Sequence, residues 1–547
     1  MFTLKNSILF LFVAVFVAVS CTDYLTENVN NEIPADQFFR NEEEFISALG
    51  DAYDPFTTYG NSGGFPALHE VTSDETVVPQ IGPDWEDGGV WLRLHRHTWT
   101  TDDPSINGGW NSYFSMVNNA NRLIFQFESV VEQGGADPAL AETFISELRA
   151  VRAFGYYQLL DTFGNVPIIT SFADAPEEPS QPSSDFDEGR QAVFDFVEQE
   201  LLDVVDKVDT DVSSTIGRMN KWAVHTILTR LYLNAEVYTG TPRWEDAVFH
   251  ADQVINSGNY SLMDNYAANF TIDNTGSPEH IFVVPYDEVF LGGFNHMHMT
   301  LHIAGGQEAF NMAVQPWGGF KATTDFYASF IDPAQNPGPQ GTVVGLDELG
   351  TETTGTLDER LSNFLVGPLI NQQGQQVTDA GVESFDPDGP PIVHTPYINE
   401  LAPLALRQAG VRIVKYEPEV GISGTNMSND FVVMRYAEIL LNKAEALWRM
   451  NPGSAEALML VNEIRNRAGV DPFNSLDADK LLAERGRETF YDIIRRQDQI
   501  RFAGDEGATD FNDSWQFKEA SDPFRNVFPI PRDQLEANAN LIQNPGY

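Results

Sequence analysis

One cysteine stands in 547 residues, Cys21, so no disulfide can form within the chain. Lysine is almost as scarce. Eight Lys and 24 Arg face 80 Asp and Glu, for a net charge of -48. So little positive charge excludes electrostatic binding to nucleic acid and to anionic lipid. No apolar run beyond residue 20 is long enough to span a bilayer. Neither an H-E-x-x-H motif nor a phosphate-binding glycine loop is found, which removes two familiar routes to hydrolysis. The lysine-poor acidic surface leaves two explanations open: a protein kept hydrated in high salt, where screening relieves self-repulsion, or an acidic exported protein.

What is present describes a packed, exported chain, with 42% hydrophobic and 12% aromatic residues. Lys5 precedes an apolar run from Ile8 to Val19, and Ser20 and Cys21 follow. That is a signal peptide over 1–20. Ala18-Val19-Ser20-Cys21 resembles a bacterial lipobox, with Ala18 where Leu is commonest, so Cys21 is the expected lipidation site; the alternative is a plain signal peptide with an incidental Cys. Residues 21–35 are polar and read as a tether, and 36–547 as a single domain.

Within that domain the hydrophobic spacing is helical. Over 431–469, Met434, Ala437, Leu440, Leu441, Ala444 and Leu447 fall on one face, and Asn451-Pro452-Gly453 ends the helix. Ser454 then caps a second helix striped by Ala457, Leu458, Val461, Ile464 and Ala468. Similar pairs occupy 110–162 and 218–257, and a helix over 36–53 with one of its neighbours supplies a fourth. Further helices are expected over 186–208 and, charged and amphipathic, over 477–501. Small alanines at the crossings let the helices approach closely, as in tetratricopeptide stacks. The fold class is therefore mainly α, with about four tetratricopeptide-like pairs. Two long insertions, 56–110 and 260–430, lack helical period and form a loop-rich half suited to binding.

Six segments in order resemble the SusD/RagB family of outer-membrane nutrient-binding lipoproteins. They are Cys21 with its tether, SELRAVRAFGYYQLLDTFGNVPIIT, GRMNKWAVHTILTRLYLNAEVY, RYAEILLNKAEAL with NEIRNRAG, ERGRETFYDIIRRQDQIRF, and FPIPRDQLEANANLIQNPGY. One departure is visible at Asp492-Ile493, where the family commonly carries Glu-Gly. The resemblance implies a lipid-anchored protein of the cell outer membrane, facing the exterior. It would capture oligosaccharides, or in some members peptides, for a TonB-dependent transporter of the SusC type. It implies no catalysis and no cofactor; the rival reading is a surface glycoside hydrolase, which needs a carboxylate pair about 5–9.5 Å apart.

Sugars present C–H faces and hydroxyl rims, so their binders need flat aromatic rings edged by carboxylates, amides and Arg. The stretch 72–99 supplies Trp85, Trp91 and Trp99 with Asp74, Asp84, Asp87 and Arg93. A second aromatic set is Tyr286, Phe290, Phe294 and Trp317. The VQPWGGFKATTDFY segment around Trp317 resembles the family's Trp-containing ligand loop, whereas the Arg often found near Ile81 in sugar-binding relatives is missing. Trp317, set between Pro316 and Gly318-Gly319, is the first candidate platform and Trp85 the second. Asp74 and Arg93 are their expected polar partners, with Tyr286 and Phe294 as further aromatic contacts. Trp110, Trp222, Trp244 and Trp448 lie on helical stripes and read as core. His296, His298 and His302 have no carboxylate or Cys completing a recognisable metal set, and no metal is expected.

Overall fold

The computed structural model describes residue 39 and residues 41–331, 343–346, 352–355, 358–379 and 391–547. The leader, the tether and Cys21 lie outside the described residues. Ten helices carry the architecture. They are α1 (Glu42–Tyr53), α2 (Pro104–Glu132), α3 (Pro138–Phe163), α4 (Phe186–Val204), α5 (Lys221–Leu233), α6 (Trp244–Ser257), α7 (Tyr436–Met450), α8 (Ala455–Arg467), α9 (Ala478–Thr489) and α10 (Arg495–Arg501).

Local chemistry explains their starts. Proline opens α2 and α3, where its fixed φ suits the first turn and its missing N–H is not needed. Asn220 accepts from the Trp222 and Ala223 amides to begin α5, and Ser454 accepts from the Ala457 amide to begin α8. α3 is buried without a break from Ala150 to Phe163, which makes it a central helix rather than an amphipathic one. It packs between α2 and α4, and α1 lies across α2 and α3. α6 packs on both α5 and α7, so the pairs read at 218–257 and 432–468 are direct neighbours. The fold is mainly α and built of tetratricopeptide-like pairs.

Two expectations are corrected. Phe431–Arg435 is a strand, not the first turn of a helix, and pairs antiparallel with His280–Val284. All five of its residues are buried, so the run has no period to betray its type. The helix expected over 477–501 is broken between α9 and α10, where Tyr491 and Ile493 both adopt positive φ.

The irregular half is held by short strands: β1 (Thr76–Val77), β2 (His280–Val284), β3 (Lys321–Ala322), β4 (Phe364–Leu365), β5 (Val411–Ile413) and β6 (Phe431–Arg435). Four of them form one antiparallel sheet in the order β1–β3–β5–β4. The register sets Thr76 opposite Ala322 and Val77 opposite Lys321. That pairing brings the loop after β1 against the loop before β3, two stretches more than 200 residues apart. Behind the sheet, Arg360, Arg435, Arg465 and Arg467 interlock with Glu279, Glu484 and Glu488 in a buried ionic lattice. A lattice of this kind fixes one arrangement, because a buried ion left without its partner is strongly destabilising.

Candidate ligand-binding site

The β1–β3 pairing places Trp85 beside Trp317. Trp85 sits at φ 59°, in a tight turn where Ile81 and Asp84 exchange backbone hydrogen bonds. Its indole Nε1–H donates to the Trp317 carbonyl at 2.8 Å, tying the two tryptophan segments directly. The Trp317 amide in turn donates to the His298 carbonyl at 2.6 Å. Gly319 makes the approach possible: a Cβ there would come within 2.2 Å of the Trp85 ring. The glycine is a bed on which one face of the indole lies.

The edges of Trp85 are locked as well. Trp91 meets it at 5.4 Å and 64°, and Phe320 at 5.7 Å and 78°. Trp91 and Phe320 touch each other at 5.5 Å and 73°, closing an aromatic triangle. Each edge-to-face pair contributes roughly 0.5–1.5 kcal/mol beyond area burial, enough to hold the ring in one orientation. Trp91 and Phe320 are buried, whereas Trp85 and Trp317 are only half-buried. His298, fully buried and with its pKa lowered by that burial, lies against Trp317 with ring centres 5.6 Å apart.

The rim is acidic. Asp84, Glu86 and Asp87 are exposed beside Trp85. Asp87 accepts from the Trp91 Nε1–H at 2.7 Å, and Glu86 accepts from the Gly88 amide at 3.1 Å. Gly88 and Gly89, both at positive φ, let this loop turn sharply into the short helix Val90–His95. Arg93 fastens it from below: its Nε donates to Asp103 at 2.9 Å and its Nη1 to the Gly88 carbonyl at 2.6 Å. Its hydrogen bonds to Asp103 hold the guanidinium pKa above its ordinary value. With these bonds made, Arg93 supports the loop that carries Trp85.

The structure thus brings together Trp317 and Trp85, with Arg93 underneath them. It does not bring Asp74 to that surface. Asp74 accepts two bonds from Arg495, each 2.8 Å, and faces a separate cavity of about 320 Å³ that Trp515 and Gln516 also line. Tyr286 and Phe294 are corrected to core. They are 5% and 1% exposed and stack on each other 5.2 Å apart. The Tyr286 hydroxyl donates to the Thr57 carbonyl and accepts from the Gly60 amide, and burial raises its pKa. Neither ring has a face for a ligand. Phe290, by contrast, is 90% exposed. Trp99 is core too, its Nε1–H bonded to the Tyr547 hydroxyl.

Gly319, Phe320, His298 and Asp103 were missed as contributors. The Gly318-Gly319 pair was the one visible signal; nothing in the sequence marks Asp103 as the partner of Arg93. Among the described residues, no group of three or more His, Cys, Asp or Glu could hold a metal ion, and no helix is long and apolar enough to cross a membrane.

Comparison with known proteins points one way. Residues 23–233 match a family model described as "Starch-binding associating with outer membrane", and residues 406–547 match the SusD family model. The starch-binding protein SusD of Bacteroides thetaiotaomicron is 26% identical over 427 residues, covering 74% of this chain and 72% of that protein. Surface glycan-binding protein A from Bacteroides uniformis superposes with a TM-score of 0.70 at 19% identity, covering 92% of this chain and 99% of that one. The Bacteroides thetaiotaomicron protein of the same description, solved with laminarihexaose, gives 0.68 at 19% identity over 92% and 99%. At these identities the structural matches establish a shared fold.

Proposed function

This chain belongs to the SusD/RagB family, and on that premise we propose that it captures oligosaccharides on the Trp85–Trp317 surface and passes them to a TonB-dependent transporter of the SusC type. In this reading it is a binding protein without catalysis or cofactor, held on the outer face of the outer membrane by a lipid on Cys21.

One observation carries the reading: two half-buried tryptophans, 232 residues apart, joined by a hydrogen bond and edged by exposed carboxylates. Stacking on a sugar's C–H face needs a flat ring held in one orientation, and carboxylates accept the hydroxyls at its rim. The names of the relatives, a starch-binding protein and surface glycan-binding proteins, support the ligand class. Only part of a sugar ring is apolar, so each platform contributes about 1–2 kcal/mol. That scale favours weak, reversible capture, which suits handing a ligand onward.

Affinity electrophoresis through gels containing a panel of glycans tests it. We expect retardation by at least one glycan and no released product. Trp317→Ala should weaken that binding about tenfold, the equivalent of ~1.4 kcal/mol, with an unchanged circular dichroism spectrum. Release of shorter sugars would replace the binding reading by hydrolysis. Retardation that survives removal of both tryptophans would move the site elsewhere.

A further inference from the structure

The two sides of the tryptophan surface differ in charge. Residues 313–320, which carry Trp317, hold no ionisable side chain. The turn over 82–89, which carries Trp85, holds three carboxylates and no base: Asp84, Glu86 and Asp87, all exposed. A fourth, Glu400, stands on the loop packed against that turn. There the Leu401 carbonyl accepts from the Gln80 amide at 2.7 Å and the Pro403 carbonyl from the Gly82 amide at 3.0 Å.

Two of these carboxylates are held in place. Asp87 gives Oδ2 to the Trp91 Nε1–H, and Glu86 gives Oε2 to the Gly88 amide. A surface carboxylate ordinarily rotates clear of a like charge; these two would have to break a hydrogen bond to do so. Each keeps a second oxygen, which accepts a hydroxyl but has no proton to donate to an anion.

The neighbouring cations do not compensate. Arg93 has all three guanidinium nitrogens engaged, Nε and Nη2 on Asp103 and Nη1 on the Gly88 carbonyl. The Asp103 side chain is 0% exposed. An anion that captured Arg93 would leave that buried carboxylate without its cation, which is strongly destabilising. Lys321 of β3 is buried, its Nζ donating to the Leu406 carbonyl at 3.3 Å. Arg96 is exposed but follows the Val90–His95 helix, whose rise carries it roughly 9 Å beyond the turn. With Arg96 counted, the rim still has an excess of negative charge.

We propose that the Trp85–Trp317 surface is a charge filter, taking uncharged glycans and rejecting those that carry uronate or sulfate groups. The proposal rests on glycan capture at that surface and adds the substrate class. An uncharged sugar meets the rim with hydroxyl donors. A uronate or sulfate ester puts a like charge beside three others. In water, two like unit charges about 7 Å apart weaken binding roughly threefold, so three lower it by a factor of about 20. At 1 M salt the Debye length is about 3 Å, and most of that penalty disappears.

Titrations followed by tryptophan emission test the filter, with soluble starch, laminarin, galactomannan and arabinoxylan each set beside its carboxymethyl derivative. For each parent that binds, the derivative should bind about 20-fold more weakly at about 20 mM NaCl, and within roughly twofold of the parent at about 1 M. Asp84→Asn combined with Glu86→Gln should shrink the low-salt gap to about threefold, since one of the three charges remains. Glu42→Gln combined with Glu43→Gln removes the same charge from the exposed start of α1 and should leave the gap as it is. A derivative bound as tightly as its parent, a gap that ignores salt, or a control pair that closes the gap equally, each overturns the filter. When such binding is still lost in Trp317→Ala, glycan capture stands and the filter alone fails. Binding of no parent and no derivative, or binding that survives removal of both tryptophans, overturns the capture reading and the filter with it.

Discussion

Ile493 holds a backbone conformation that its side chain resists. At φ 65° a β-branched residue crowds its own carbonyl, at a cost of roughly 1–2 kcal/mol. Two buried carboxyls hold the segment there. The Ile493 amide donates to Glu70 at 2.8 Å and the Tyr491 amide to Glu75 at 3.3 Å. Asp492 between them is pinned by Lys415 and Arg435. This is the position where the family pattern has glycine, and the conformation gives the reason: glycine is at ease at positive φ. Replacing Ile493 by Gly still empties a buried site, since the side chain is 6% exposed, so comparison with wild type confounds two effects. The informative comparison is with Ile493→Ala, which empties nearly the same space and keeps the strain. We expect Ile493→Gly to be the more stable of the two by about 1 kcal/mol in urea unfolding, the reverse of their order in a helix. Equal stability, or a better alanine variant, would mean the segment relaxes freely.

The elements were legible in proportion to their periodicity. α2, α3, α7 and α8 stand close to where spacing, caps and Pro-Gly breaks put them. Phe431–Arg435 was not, because a fully buried strand carries no alternation. The α9–α10 break was hidden because Glu70 and Glu75, more than 400 residues away, provide its reason. The same divide runs through the site. Trp317, proposed as a platform from its local Pro316 and Gly318-Gly319 setting, lies half-buried beside Trp85. Asp74, Tyr286 and Phe294 have the right chemistry in the wrong places: Arg495 claims the first, and the aromatic core the other two. Gly319 is where an element-scale device can be tested, since an added Cβ meets the Trp85 ring at 2.2 Å and the ring is hemmed in by Trp91 and Phe320. Gly319→Ala should displace the indole, alter the tryptophan emission spectrum without any ligand, and weaken glycan retention about tenfold, the scale of one lost platform. Unaltered emission together with unaltered retention would show that the glycine bed is dispensable.

For the whole molecule the deciding condition is pH, and two sets of buried groups pull in opposite directions. Burial is the chief cause in both. It drives His69, His225 and His296 down to about 3, and His95, His250 and His280 to about 4. An unfolded histidine titrates near ~6.5, so below that pH the unfolded chain binds protons that the folded one refuses. Stability is therefore lost as pH falls from about 6.5, each group contributing up to ~1.4 kcal/mol per pH unit until its folded value is reached. Glu70 is pushed up to about 7 and Glu75 beside it is raised as well. For these carboxyls the folded state binds the extra proton, and stability falls instead as pH rises between about 4.5 and 7. Six histidines outweigh one carboxyl pair, so the net slope through pH 5–6.5 follows the histidines. A third effect masks this at low salt: acidification reduces the charge of -48 and relieves self-repulsion. At 1 M NaCl the Debye length shrinks to about 3 Å and that relief becomes small. The urea midpoint in 1 M NaCl should then drop steadily from pH 7 to pH 5, by an amount worth several kcal/mol on the order set by six coupled protonations. A midpoint that stays level or rises over this range would show that the buried histidines open to solvent before the fold gives way.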